Sequence, residues 1–195
     1  MTCWPSFFPS FVMAWSRGHL TCSMIPCPWT RTIRCVERKW LQAIWRGRGN
    51  VRPDAWRLYF VVMLGGKAVG MQDLIGVNFD TCRTVSSFSW LAPSVRQQGL
   101  AREMRAAILH LAFEGFGAAE AISEAFFDNV ASNRVSEAMG YQPNGTDWAT
   151  RRGAPAVLNR RRLTRADWKA NRRSDLRLFG VEACKPVVHI TEAAR

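Results

Sequence analysis

Trp90-Leu91-Ala92-Pro93-Ser94-Val95-Arg96-Gln97-Gln98-Gly99-Leu100-Ala101 is the stretch on which the reading of this chain turns. Apolar residues give way to a proline and a polar run, then to a glycine and a helical pattern. Leu100, Met104, Ala107, Ile108 and Leu111 lie on one helical face and predict a helix running to about Phe113. Upstream, about Thr84 to Leu91 reads as a strand. A strand therefore passes through a short loop directly into a helix. The first N–H groups of a helix have no partner inside it. They carry partial positive charge and point outward, which suits a pyrophosphate. Gly99 lets the backbone approach such a group closely, Ala101 keeps the first turn narrow, and Arg96 adds a mobile charge at the rim.

The neighbouring elements complete an α/β pattern. Leu58 to Leu64 is β-rich, meets Gly65-Gly66, and continues as Lys67 to Ile75, a strong hairpin signal. Downstream, Ala119 to Phe126 reads as a short buried strand. Asn129 to Met139 reads as a helix with Ala131, Val135, Ala138 and Met139 inward and Gly140 as its stop. A strand at about Ala156 to Leu163 follows, and Thr164 can cap a short helix. Between Thr32 and Arg46, Ile33, Val36, Trp40, Leu41, Ile44 and Trp45 predict an amphipathic helix. The order of strands, helix, strand, helix and strands implies an α/β domain with a mixed sheet. Residues 1–24 show no clean period and read as an irregular segment whose place in the fold is left open. Residues 25–170 read as the domain, and 171–195 as a basic C-terminal extension.

The 195 residues suffice for one domain with a proper core, and 48% hydrophobic content excludes a disordered chain. The net charge of +12 resides in the flanks: residues 1–50 carry +6, 51–149 carry −2 and 150–195 carry +8. Six cysteines match no common zinc spacing, so no metal site is expected, and they read as reduced thiols. The apolar run in residues 1–16 is interrupted by prolines and too short to span a membrane. The expectation is a soluble, cytoplasmic protein with no membrane partner.

Arg96-Gln97-Gln98-Gly99-Leu100-Ala101 is similar to the pyrophosphate motif of the GNAT N-acetyltransferase family, Arg/Gln-x-x-Gly-x-Gly/Ala between a strand and a helix. A second match follows in order. Asp128-Asn129-Val130-Ala131-Ser132 through Ser136 to Gly140-Tyr141 resembles that family's Asn-x-x-Ser…Gly-Phe/Tyr helix. Trp90, together with Leu163 to Trp168, resembles the branch that acetylates the N-terminal alanine or serine of ribosomal proteins. The resemblance spans about residues 28–170. It implies a mostly antiparallel central sheet flanked by helices, with a splayed strand pair holding coenzyme A. The cofactor would be acetyl-CoA; succinyl-CoA or another acyl-CoA would use the same loop. The backbone near Leu91 would pair with the pantetheine arm. Arg96 would stand at the rim, the amides of Gln97, Gln98, Gly99, Leu100 and Ala101 would hold the pyrophosphate, and Asn129 would touch the pantetheine. Ser132 or Ser136 would donate a proton to the leaving thiolate. Many relatives carry a tyrosine at the position of Ser136, which departs from that pattern.

In such chemistry an amine attacks the thioester directly. A lysine-like amine has a pKa of about 10.4 and must lose a proton first. Asp73 on the hairpin and Glu124 on the buried strand are the candidate bases, each weighed against a salt-bridge or rim role. His110, in mid-helix, reads as structural. The acceptor is an amine, either a small molecule or a protein N-terminus or lysine; a homodimer is left open. Two other readings compete. One is a CoA-binding relative without activity. The other is a basic nucleic-acid-binding module contacting phosphates through Arg160, Arg161, Arg162, Arg172 and Arg173, although no readout motif accompanies the charge.

Overall fold

The computed structural model describes residues 12–15, 20–24, 35–188 and 190. Strands β1 (Val12–Trp15) and β2 (Leu20–Met24) precede helix α1 (Cys35–Gly49). A hairpin follows, β3 (Ala55–Leu64) and β4 (Lys67–Val77), then one helical turn, α2 (Phe79–Cys82). Two short strands, β5 (Thr84–Ser86) and β6 (Ser89–Leu91), lead into α3 (Leu100–His110), extended by a wider turn over Leu111–Gly115. The chain continues as β7 (Glu120–Phe126), α4 (Val130–Ala138), β8 (Gln142–Arg151), β9 (Ala154–Thr164), α5 (Arg165–Asn171), β10 (Leu176–Phe179) and α6 (Val181–Cys184).

Among the described residues these strands form one ten-stranded mixed sheet in the order β10-β1-β2-β3-β4-β5-β7-β9-β8, with β6 also on β4. Every pairing is antiparallel except β5 with β7. Two segments set apart by the sequence pattern supply strands of this sheet. Within residues 1–24, β1 and β2 pair with each other, and β2 pairs with β3. Within 171–195, β10 pairs with β1. Strands of four or five residues carry little periodicity, which is why the pattern misses them.

Residue parity decides which face of the sheet each side chain takes. Trp56, Leu58, Phe60, Val62 and Leu74 enter the main core with Ile108, Leu111 and Phe113 of the α3 region. Trp56 meets Phe79 and Phe116 edge-on, with centroids 5.1 and 5.7 Å apart. The opposite face carries a smaller cluster of Ile44, Tyr59 and Met71 under α1. There the helix turns Trp45 outward, 47% exposed, against the predicted inward face. Gly65 and Gly66 both take positive φ, as the tight hairpin turn requires.

Candidate active site

β5 and β6 keep the same antiparallel register against β4, Ile75 opposite Ser86 and Gln72 opposite Ser89, so they are one strand interrupted at Ser87 and Phe88. The interruption has a visible cause. The Phe88 amide donates to Asp73 Oδ1 at 2.5 Å, while Asp73 N donates to Phe88 O at 2.9 Å. A side chain has taken the amide that the ladder would use. β5 pairs with β7 over three residues, ending at Ser86 and Ile122. β6 pairs with β4 alone, while β7 runs on through Ser123 to Phe126. The sheet therefore forks between β6 and β7. Gly70 makes the close seating of β6 on β4 feasible, because a Cβ there would lie 2.5 Å from Trp90 O.

Beyond Leu91 the chain makes one tight turn at Pro93–Val95 and enters the predicted loop. Leu91 is buried, and its carbonyl accepts from Arg96 Nε at 3.0 Å. Residues 96–99 are exposed and Leu100 and Ala101 half-buried. Gln97 and Gly99 take positive φ, 61° and 83°. These positive φ values turn the loop sharply into the start of α3. Among the described residues, the amides of 97–101 have no protein acceptor. The Gln98 side chain donates back to Ser94 O at 3.3 Å, bracing the loop. A Cβ built on Gly99 meets nothing within 4 Å, so the space before the helix is open.

Asn129 caps α4, its Oδ1 accepting from Ser132 N at 3.2 Å, and is itself exposed; Ser132 is half-buried. The helix buries only part of the predicted apolar face: Val135 and Met139 are half-buried, Met139 against the main core. Ala131 and Ala138 are exposed, and Asn133 and Ser136 are the buried residues. The strand surface beneath is polar, which turns the helix. Asn133 donates to Phe126 O and Asn129 O, both at 3.0 Å, and accepts from Asn159 at 3.1 Å. Ser136 Oγ lies 2.8 Å from Ser123 Oγ, which accepts from Arg105 at 3.3 Å. Sequence reasoning missed Ser123 and Arg105. Arginine on the inward side of an amphipathic helix was the available signal.

The two candidate bases sit in different settings. Asp73 is fully buried, and both its oxygens are engaged: Oδ1 by Phe88, Oδ2 by Arg57 Nε at 2.7 Å and by a second Arg57 nitrogen. Burial raises its pKa, opposed by the Phe88 amide and the Arg57 charge. Its observed work is to hold the break in the strand. Glu124 is half-exposed and pairs with Arg160 at 3.2 Å. Register places Glu124, Phe88 and Trp90 on the same face of the sheet, opposite to the α3 side. His110 packs near Trp168, with centroids 6.0 Å apart, and burial lowers its pKa.

A family model described as an acetyltransferase (GNAT) domain matches residues 9–142. Solved structures share the fold. A probable acetyltransferase aligns with TM-score 0.55 and 19% identity over 69% of this chain and 72% of its own. The spermidine N-acetyltransferase of Vibrio cholerae, in complex with CoA and spermine, aligns at 0.59 and 16% over 67% and 77%. A GCN5-related N-acetyltransferase from Brucella melitensis aligns at 0.57 and 18% over 68% and 61%. Forked sheet, glycine-led helix start and family match agree, and the chain belongs to the GNAT acetyltransferase family.

Proposed function

We propose that this chain transfers an acyl group, acetyl in the first instance, from acyl-CoA to a primary amine. The observation that carries the reading is the run of unpartnered amides at 97–101, standing open beside the fork. Those amides and the start of α3 would hold the pyrophosphate, with Arg96 at the rim. The free edge of β6 near Leu91 offers backbone groups to the pantetheine amides, and Asn129 stands beyond it on the other arm of the fork. The amides of 97–101 fit the cofactor because they are donors with no backbone acceptor among the described residues. Coenzyme A supplies the activated thioester. The chain holds it against the amine and excludes competing geometries.

The acceptor enters from the opposite face, where Phe88 and Trp90 are 56% and 44% exposed. Aromatic surface on the same face as a carboxylate suits an aliphatic amine: the rings would cover its methylenes, and Glu124, shared with Arg160, would attract its charge. Glu124 is the better placed of the two carboxylates to take the amine proton, because Asp73 is saturated by Arg57 and Phe88. Polyamines and protein N-termini both meet this description. The exposed Trp90 keeps the ribosomal N-terminus among the acceptors to be assayed first.

Calorimetry with acetyl-, succinyl- and free CoA tests the reading. The native chain is expected to bind all three through the shared diphosphate, and to turn over acetyl-CoA with an amine. Gly99→Glu puts bulk and negative charge into the open space and is expected to abolish binding. A folded Gly99→Glu chain with native affinity would sink the site. Binding without turnover across the amine panel would identify a carrier of CoA, not a transferase.

A further inference from the structure

Among the described residues, a cleft of about 560 Å³ opens where β7 ends. β9 pairs with β7 as far as Leu158, opposite Phe126. The β8–β9 hairpin then runs on past the end of β7, from Trp148 and Val157 to Arg151 and Ala154. The chain leaving β7 stays beside this overhang, the Phe127 amide donating to Val157 O at 3.0 Å. Phe126, Phe127, Ala156 and Val157 give the cleft its apolar walls, and Asp128 and Arg151 stand among them. Rings and aliphatic groups with a few polar ones, around a volume of this size, have the character of a small-molecule site. Phe127, and Trp148 opposite Val157, are 72% and 71% exposed, so apolar surface stands open here.

The cleft continues the acceptor face. Phe126 follows Glu124 by two residues, so both side chains leave the same face of β7, about 7 Å apart along the strand. The charges nearby are already matched. Arg151 Nη1 donates to Asp128 Oδ1 at 2.6 Å, and the guanidinium lies 4.7 Å from the centre of the Phe126 ring. Arg160 stands 3.2 Å from Glu124 and 4.0 Å from Asp147. Glu124 faces the reacting amine, and Asp128 and Asp147 each have an arginine in place of a second ammonium. Arg151 also puts a positive charge at the cleft, which repels a further cation.

We propose that this cleft is the specificity subsite for the acceptor, and that the acceptor is a monoamine carrying a bulky apolar group, not a polyamine. The proposal rests on the acyltransfer reading above and narrows its amine. The apolar group lies against Phe126, Phe127 and Val157 while the nitrogen stands at Glu124. The reaction is the same: the nitrogen bonds to the acyl carbon, the carbon–sulfur bond breaks with its electron pair staying on sulfur, and the proton lost by nitrogen ends on the sulfur. Selectivity has two parts, because apolar burial favours the bulky group and Arg151 disfavours a second charge. A free arylalkylamine and a peptide with an aromatic side chain near its N-terminus present the same chemistry.

The test compares kcat/KM, with acetyl-CoA as donor, for four amines: 2-phenylethylamine, a tetrapeptide with serine first and phenylalanine second, butylamine and spermidine. At least one phenyl-bearing probe is expected to exceed butylamine and spermidine by about tenfold or more, and the faster of the two identifies the source of the group. Phe127→Ala, at an exposed position, is expected to bring the ratio of that probe to butylamine close to one. Arg151→Gln is expected to raise spermidine relative to the phenyl probe by about tenfold, because it removes the repelling charge and frees Asp128. Should Arg151→Gln fail to fold, Phe127→Ala decides alone. Spermidine as the best native substrate overturns the proposal and leaves the transfer reading intact. So does a phenyl-to-butylamine ratio that is near one in the native chain or that Phe127→Ala leaves unaltered. If CoA binds and no amine of the panel is acetylated, the acyltransfer reading fails and takes this proposal with it.

Discussion

Asp73 shows how one side chain can be read two ways from sequence and one way from its contacts. A carboxylate in an apolar strand signals either catalysis or a paired role, and only position tells which. Its folded pKa is raised by burial, so on its account stability is fully present below the unfolded value of 3.8. That contribution is lost as pH rises through the raised folded value. Asp73→Asn is expected to flatten this component in urea unfolding across acidic pH. Asp73→Ala is expected to cost about 1–3 kcal/mol more than Asp73→Asn, because it leaves the Phe88 amide without an acceptor. Equal stability of the two variants would contradict the latch role. Gly99 was legible from sequence alone, since a glycine before a helical pattern points to an open turn. Arg105 and Ser123 were not, because their meaning comes from three elements converging, which no spacing encodes.

At the scale of elements, long periodic segments declared themselves and short or polar ones did not. The β3–β4 hairpin and α3 follow directly from Gly65-Gly66 and from the apolar stripe beginning at Leu100. The expected single strand from Thr84 to Leu91 is present in register, yet broken where Asp73 takes an amide. α4 was placed correctly and turned only partly as expected, because the pattern assumes that apolar residues face inward. Here the sheet offers Ser123 and Asn159, and the helix answers with Ser136 and Asn133. β6 depends on a small residue beneath it. Gly70→Ala is expected to cost about 1–3 kcal/mol by overpacking against Trp90 O, and to weaken CoA binding by displacing that edge. A native melting temperature together with native CoA affinity would refute this.

On the whole molecule, the +12 charge does not leave a phosphate-binding stripe among the arginines first considered for one. Arg160, Arg161 and Arg162 pair with Glu124, Glu137 and Glu120, and Arg172 and Arg173 with Glu114 and Glu103. Duplex DNA is therefore expected to bind weakly, with a shallow salt dependence; tight binding that collapses steeply with salt would contradict this. The C-terminal residues are structural as well as basic. Leu176, Val181, Cys184 and Val188 are buried in the main core, and β10 pairs with β1. Ending the chain at Ala170 removes four buried side chains, three of them worth about 1.5–3 kcal/mol each, and is expected to abolish cooperative thermal unfolding. Finally, among the described residues, β7, β9 and β8 join the ladder of the rest of the sheet through three parallel residue pairs, Thr84–Ser86 with Glu120–Ile122. A molecule that fills the gap beyond that seam would tie the two sides of the sheet together. Deuterium uptake along Ser123–Phe126 should then be quick in the empty protein and slow once the gap is bridged, so that occupancy sets stiffness before any bond is made or broken.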